Sequence, residues 1–103
     1  MVVELNEDNF KQLTKTGKAV IDFYADWCGP CQMMKPIFEK ISKEVKGVNF
    51  FKVNVDECAE TSQLYGVRSI PTIIFMKDGK EVERILGVLY EEEFKKKVQD
   101  VLK

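Results

Sequence analysis

Histidine is absent from this 103-residue chain, which excludes a Cys-His protease, a Ser-His-Asp triad and any metal site that needs imidazole. Glycine is sparse: its six residues are scattered and form neither G-x-G-x-x-G nor G-x-x-x-x-G-K, so no bound nucleotide is implied. Three cysteines are too few, and odd in number, for a small secreted scaffold stapled by bridges. That usage fits a cytoplasmic protein better. Long apolar runs are missing as well. The longest, such as Thr72-Ile73-Ile74-Phe75-Met76, are strand-sized and far short of the roughly 20 residues a bilayer span needs, so no membrane partner is expected. Sixteen basic and 17 acidic residues leave a formal charge of -1, with nothing to recommend a phosphate backbone, so nucleic acid is not expected either. The opening Met1-Val2-Val3-Glu4-Leu5 has no basic region and no long apolar run, and no targeting signal is expected from it.

What remains is the balance of a soluble globular protein, 45% hydrophobic and 32% charged, with a length that suits one domain over residues 1–103. Val2 to Leu5 reads as a short strand, followed by a helix with Asn6 as N-cap that runs to about Thr14 and buries Phe10 and Leu13. Ala19 to Ala25 is almost continuously apolar and should be a central strand covered on both faces. A helix from Cys28 to about Val45 should bury Met33 or Met34, Ile37, Phe38 and Ile41, with a kink at Pro36. Val48 to Val55 alternates as a strand, with Phe51, Val53 and Val55 on one face and Phe50, Lys52 and Asn54 on the other. Asp56 is the expected N-cap of a helix from Glu57 to Tyr65 that stops at Gly66. Thr72 to Met76 and Glu81 to Leu86 form a hairpin through Lys77-Asp78-Gly79-Lys80, and Glu91 to Leu102 is an amphipathic closing helix. The order β-α-β-α-β-α-β-β-α predicts an α/β fold: a mixed five-stranded central sheet flanked by four helices on both faces.

Two cysteines separated by two residues, where a strand ends and a helix begins, form the sequence pattern of a redox dithiol. A helix N-terminus stabilises a thiolate, which makes Cys28 the candidate nucleophile. Cys31, one turn further in, is expected to be more buried and is the candidate resolving thiol. A zinc site would need two more cysteine or histidine ligands, and only Cys58 remains, so no metal is expected. Read from the residues alone, Asp22 could also turn to solvent, Trp27 could pack in the core, and Pro71 could open its strand as an ordinary trans proline.

The stretch Ala25-Asp26-Trp27-Cys28-Gly29-Pro30-Cys31 resembles the active-site signature of the thioredoxin family. Ser69-Ile70-Pro71-Thr72 resembles that family's cis-proline loop, Lys77-Asp78-Gly79-Lys80 its hairpin, and Gly87 its surface glycine after the last strand. The resemblance implies the thioredoxin fold and a thiol:disulfide oxidoreductase that reduces protein disulfides through Cys28 and Cys31. It implies disulfide-bearing substrate proteins and a thioredoxin reductase as partners, a monomer, and no cofactor beyond the Cys28–Cys31 disulfide. Asp22 resembles the buried carboxylate that handles the proton of Cys31; desolvation within an apolar strand would raise its pKa, and Lys52 could moderate the shift. Pro71 resembles the cis-proline that turns the backbone of Ile70 towards an extended substrate, in a groove shared with Trp27, Gly29, Pro30 and Gly87. Gly-Pro between the cysteines resembles the reducing branch of the family. Cys58 stands where some members carry an extra cysteine, and a regulatory oxidation site is the sharper reading of it. Gln32 departs from the usual lysine or arginine, and Tyr24 stands where tryptophan is frequent.

Overall fold

The computed structural model describes residues 1–103. Its elements are β1 (Val2–Glu4), α1 (Phe10–Thr14), β2 (Lys18–Tyr24), α2 (Gly29–Glu44), β3 (Asn49–Asn54), α3 (Ala59–Leu64), β4 (Thr72–Lys77), β5 (Lys80–Leu86) and α4 (Glu91–Val101). The expected order and the mixed sheet are both present. The five strands lie in the order β1-β3-β2-β4-β5, with β1 and β2 parallel to β3, and β4 antiparallel to both β2 and β5. Central β2 is covered on both faces because its side chains alternate between two cores. Val20 joins Phe38, Phe50 and Phe94 beneath α2 and α4. Ala19, Ile21 and Phe23 join Phe10, Phe51 and Val53 on the side of α1 and α3. On the first side Phe38 stacks on Phe94 at 5.6 Å and meets Phe50 edge-on at 5.4 Å.

Local chemistry sets the joints. Asp78 (φ 50°) and Gly79 (φ 83°) take consecutive left-handed conformations, the type I′ geometry that Asp-Gly favours and that suits the twist of β4 and β5. After α3, Gly66 adopts φ 65°. The Val67 N–H then bonds the Ser62 carbonyl and the Gly66 N–H that of Gln63, a Schellman end that supplies partners for two last-turn carbonyls. Helix α2 runs through Pro36 to Glu44 and buries Met34 rather than Met33.

Three local expectations need correction. Asn6 does not cap α1: its carboxamide accepts the Asn9 N–H at 2.9 Å while Asn9 accepts that of Asn6 at 2.8 Å. The two close a turn, and the helix starts only at Phe10. On that short helix Leu13 is 42% exposed and Thr14 is buried, its hydroxyl returned to the Phe10 carbonyl at 2.9 Å. Position four, not three, follows Phe10 inward. Asp56 does not cap α3, which begins three residues later, at Ala59. Glu7, from the turn before α1, takes that place by accepting the Glu60 N–H at 2.9 Å, the Thr61 N–H at 3.1 Å and the Thr61 hydroxyl.

Candidate active site

The period of two along β1, β2 and β3 puts a polar row next to an apolar one on the face covered by α2. Val2, Phe50 and Val20 are register partners across the three strands, and so, two residues on, are Glu4, Lys52 and Asp22. The apolar row lies under Phe38 and Ile41 of α2. The polar row lies under its first turns, where Asp22, Tyr24, Lys52, Asp26, Cys31, Gln32 and Lys35 border a cavity of about 100 Å³. That alignment brings Asp22 and Cys31 to one chamber.

Cys28 is the N-cap of α2, and its Sγ accepts the Cys31 N–H at 3.1 Å. Pro30 near the start of the helix loses no intrahelical bond, since the first N–H groups have no partner within the helix. The two cysteines are joined as a disulfide with a Cα–Cα distance of 5.2 Å, within the range such a bridge requires. They are buried almost alike, at 5% and 3% exposure. The expected difference between them therefore lies in their neighbours more than in their surface: Cys31 borders the Asp22 cavity, whereas the Cys28 Sγ sits 3.8 Å from the Ile70 carbonyl.

Asp22 is 5% exposed, and its Oδ1 has no hydrogen-bond partner. Burial pushes its pKa up to about 7, against the opposing pull of the Lys52 ammonium. Ile73, its partner on β4, is fully buried and offers no countercharge. Lys52 is half-buried and has the Glu4 carboxylate 3.8 Å away.

The loop before β4 reaches the same end of the sheet. The Ile70–Pro71 bond is cis, Pro71 is buried and Ile70 half-buried. The Pro71 carbonyl accepts the Gly87 N–H at 2.9 Å, and Gly87 has φ 95°, a conformation open to glycine and strained for other residues. Gly29 and Pro30 are exposed. Trp27 is 73% exposed rather than packed in the core, and its indole N–H is held by Asp56 at 2.8 Å.

Cys58 lies away from this group, 2% exposed in the opposite core. Burial, with acidic neighbours, pushes its thiol up, away from the exposed thiolate that oxidation favours. No group of three or more His, Cys, Asp or Glu side chains is arranged to hold a metal ion.

Sequence reasoning marked Tyr24 and Gln32 only as departures from the family pattern and missed their contacts, along with Glu4 and Asp56. Tyr24 donates its hydroxyl to both oxygens of Glu4, at 2.9 and 2.7 Å, and the Gln32 carboxamide donates to the Asp26 carbonyl at 3.2 Å. The role of Asp56 beside Trp27 had no signal along the chain. Glu4 could have been found only by assuming the parallel register of β1 on β3.

Comparison with known proteins agrees with this geometry. The thioredoxin family model matches residues 1–100. The thioredoxin of Chlamydia caviae is 47% identical over 88 residues, 85% of this chain and 86% of its own length. That of Listeria monocytogenes is 44% identical over 94 residues, covering 90% of this chain and 91% of its own. Among solved structures, the thioredoxin of Malassezia sympodialis superposes with a TM-score of 0.90 at 36% identity, covering 99% of this chain and 94% of that one. A mutant thioredoxin from Halobacterium salinarum gives 0.90 at 30% identity, with 99% and 91% covered. With its Cys28–Cys31 pair at disulfide distance at the head of α2, the chain belongs to the thioredoxin family and is a thiol-disulfide oxidoreductase.

Proposed function

We propose that residues 1–103 act as one domain and a monomeric reductant of protein disulfides, in the cytoplasm, without metal or cofactor. The Cys28 thiolate, favoured by the N-terminus of α2, attacks one sulfur of a substrate disulfide and releases the other as a thiolate. Cys31 passes its proton to Asp22 and attacks the Cys28 Sγ, which breaks the mixed disulfide and releases the second substrate thiol. Two electrons have then left the dithiol, and Cys28–Cys31 is oxidised. A thioredoxin reductase returns them. Trp27, Gly29, Pro30, Ile70, Pro71 and Gly87 border the docking groove, where the Ile70 backbone pairs with an extended substrate. Lys52 limits how far burial raises the basicity of Asp22.

The observation that carries this reading is the shared cavity, which is lined both by a buried carboxylate with an unpartnered Oδ1 and by the resolving cysteine. An acid with a pKa about 7 can accept and return a proton near neutral pH. Insulin disulfide reduction with a reductase tests the cycle: Cys28→Ser should abolish it, and equal rates for variant and wild type would end the proposal. The direction is tested by the reduction potential. A value near the general thioredoxin figure of about -270 mV fits a reductant; a value above about -200 mV would make the protein an oxidase or isomerase.

A further inference from the structure

We propose that Glu4, held by the Tyr24 hydroxyl, is a positioning residue of the active site: from the outer end of an acid-base-acid row it draws the central Lys52 ammonium outward and so sets how much of that charge reaches Asp22. This rests on the reading of Asp22 as the proton-handling group.

The row follows from register. Glu4 of β1, Lys52 of β3 and Asp22 of β2 are Cα partners across adjacent parallel strands, and residues in register share a face of the sheet. Lys52 thus stands between two carboxylates. The inner one is buried and lacks a partner on Oδ1. The outer one is exposed, lies 3.8 Å from the Lys52 Nζ, and is gripped through both oxygens by the Tyr24 hydroxyl. Tyr24, two residues beyond Asp22, also brings its ring under the ammonium, with Nζ 5.8 Å from the ring centroid. Anchored by Tyr24 and drawn by Glu4, the lysine is biased towards the surface end of the row.

A pair this exposed contributes little to stability; its consequence is electrostatic. Glu4 acts on Asp22 with one sign by two routes, since it diverts Lys52 and adds a distant negative charge of its own. The other polar groups around the cavity come from every element packed there: Tyr24 and Asp26 from the end of β2 and the turn after it, and Cys31, Gln32 and Lys35 from α2. From β4, Ile73 contributes no charge. Asp26 and Lys35 are exposed to solvent and keep their charges in every variant below, so they offset the absolute midpoint of Asp22 and cancel in the differences between variants.

The test is a titration of the Asp22 carboxyl carbon by NMR in the wild type, Glu4→Gln, Tyr24→Phe, Lys52→Met and the double variant Glu4→Gln/Lys52→Met. Glu4→Gln should lower the Asp22 midpoint by about half a pH unit, because Lys52 is released towards it. Tyr24→Phe should move it the same way by less. Lys52→Met should raise it, and in that background Glu4→Gln should have little further effect. An unchanged midpoint in Glu4→Gln overturns the proposal. So does a shift of equal size with and without Lys52, which would make Glu4 a remote charge only. Because the carboxyl carbon is read directly, the result does not depend on Asp22 being the base. Failure of that reading shows separately, as an Asp22→Asn variant with the wild-type rate and pH profile.

Discussion

Glu7 and Asp22 are both carboxylates within the first 25 residues, on opposite faces of one sheet. The exposed Glu7 gathers two backbone N–H groups and the Thr61 hydroxyl at the start of α3, and the hydroxyl bond foremost holds its pKa below the ordinary value. Asp22 is buried beside α2 with no partner on Oδ1, and desolvation drives its pKa the other way. The α1–α3 side is thus polar where its polar groups are satisfied. The α2 side keeps an unsatisfied one next to its cysteines, an arrangement that lowers stability and that the proposed cycle uses as a proton acceptor.

The comparison can be broken most severely through the cysteines. Cys28→Ser should reduce turnover of insulin disulfides to the uncatalysed background, while Glu7→Gln, on the other face, should leave the rate near wild type. A Glu7→Gln variant that loses turnover would show that the two faces are coupled.

Asp22→Asn is the next largest effect and bears on stability. With the native pKa at about 7 against 3.8 for the free group, burial costs nothing while both forms are protonated. The cost grows as pH rises from about 4 and is complete above 7, where three units correspond to about 4 kcal/mol as a ceiling. Denaturant unfolding of the oxidised protein should therefore show the variant more stable at pH 8, with little difference at pH 4. A pH-independent gain would mean that Asp22 does not titrate as the burial implies. The same variant should reduce insulin more slowly.

The Glu7 contribution carries the opposite sign. Its depressed pKa makes it stabilising above the ordinary carboxylate range, with the contribution lost as pH falls through the native pKa. Thr61→Val, which removes the hydroxyl bond, should destabilise the protein at neutral pH and do so less in acid, measured by the same unfolding series. The smallest effect belongs to Leu13→Ser, within about 0.5 kcal/mol by thermal melting, because the side chain is 42% exposed. A loss of several kcal/mol there would restore Leu13 to the core.

Much of the architecture was legible along the chain because its signals are local. Asp78-Gly79 marks a two-residue hairpin, the run from Ala19 to Phe23 marks a strand without a solvent face, and Trp27-Cys28-Gly29-Pro30-Cys31 opens a helix. Errors fell where a short element offered too few residues to establish its phase. One turn of α1 cannot tell Leu13 from Thr14 by spacing, and Asn6 and Asp56 are equally good caps until the first is found paired with nearby Asn9 and the second with distant Trp27. The half-buried Lys52 was placed correctly by alternation alone, but Glu4 and Tyr24 were not connected to it.

By itself, then, the sequence determined the elements, their order and the identity of the reacting dithiol, since each depends on residues a few positions apart. Only tertiary structure decided what surrounds the dithiol. It set Ile70 beside Cys28 across 42 positions, aligned Glu4, Lys52 and Asp22 by strand register, and buried Cys58 against the Leu5 carbonyl. Burial and countercharge are properties of packing, and the proton affinity of Asp22 follows from both.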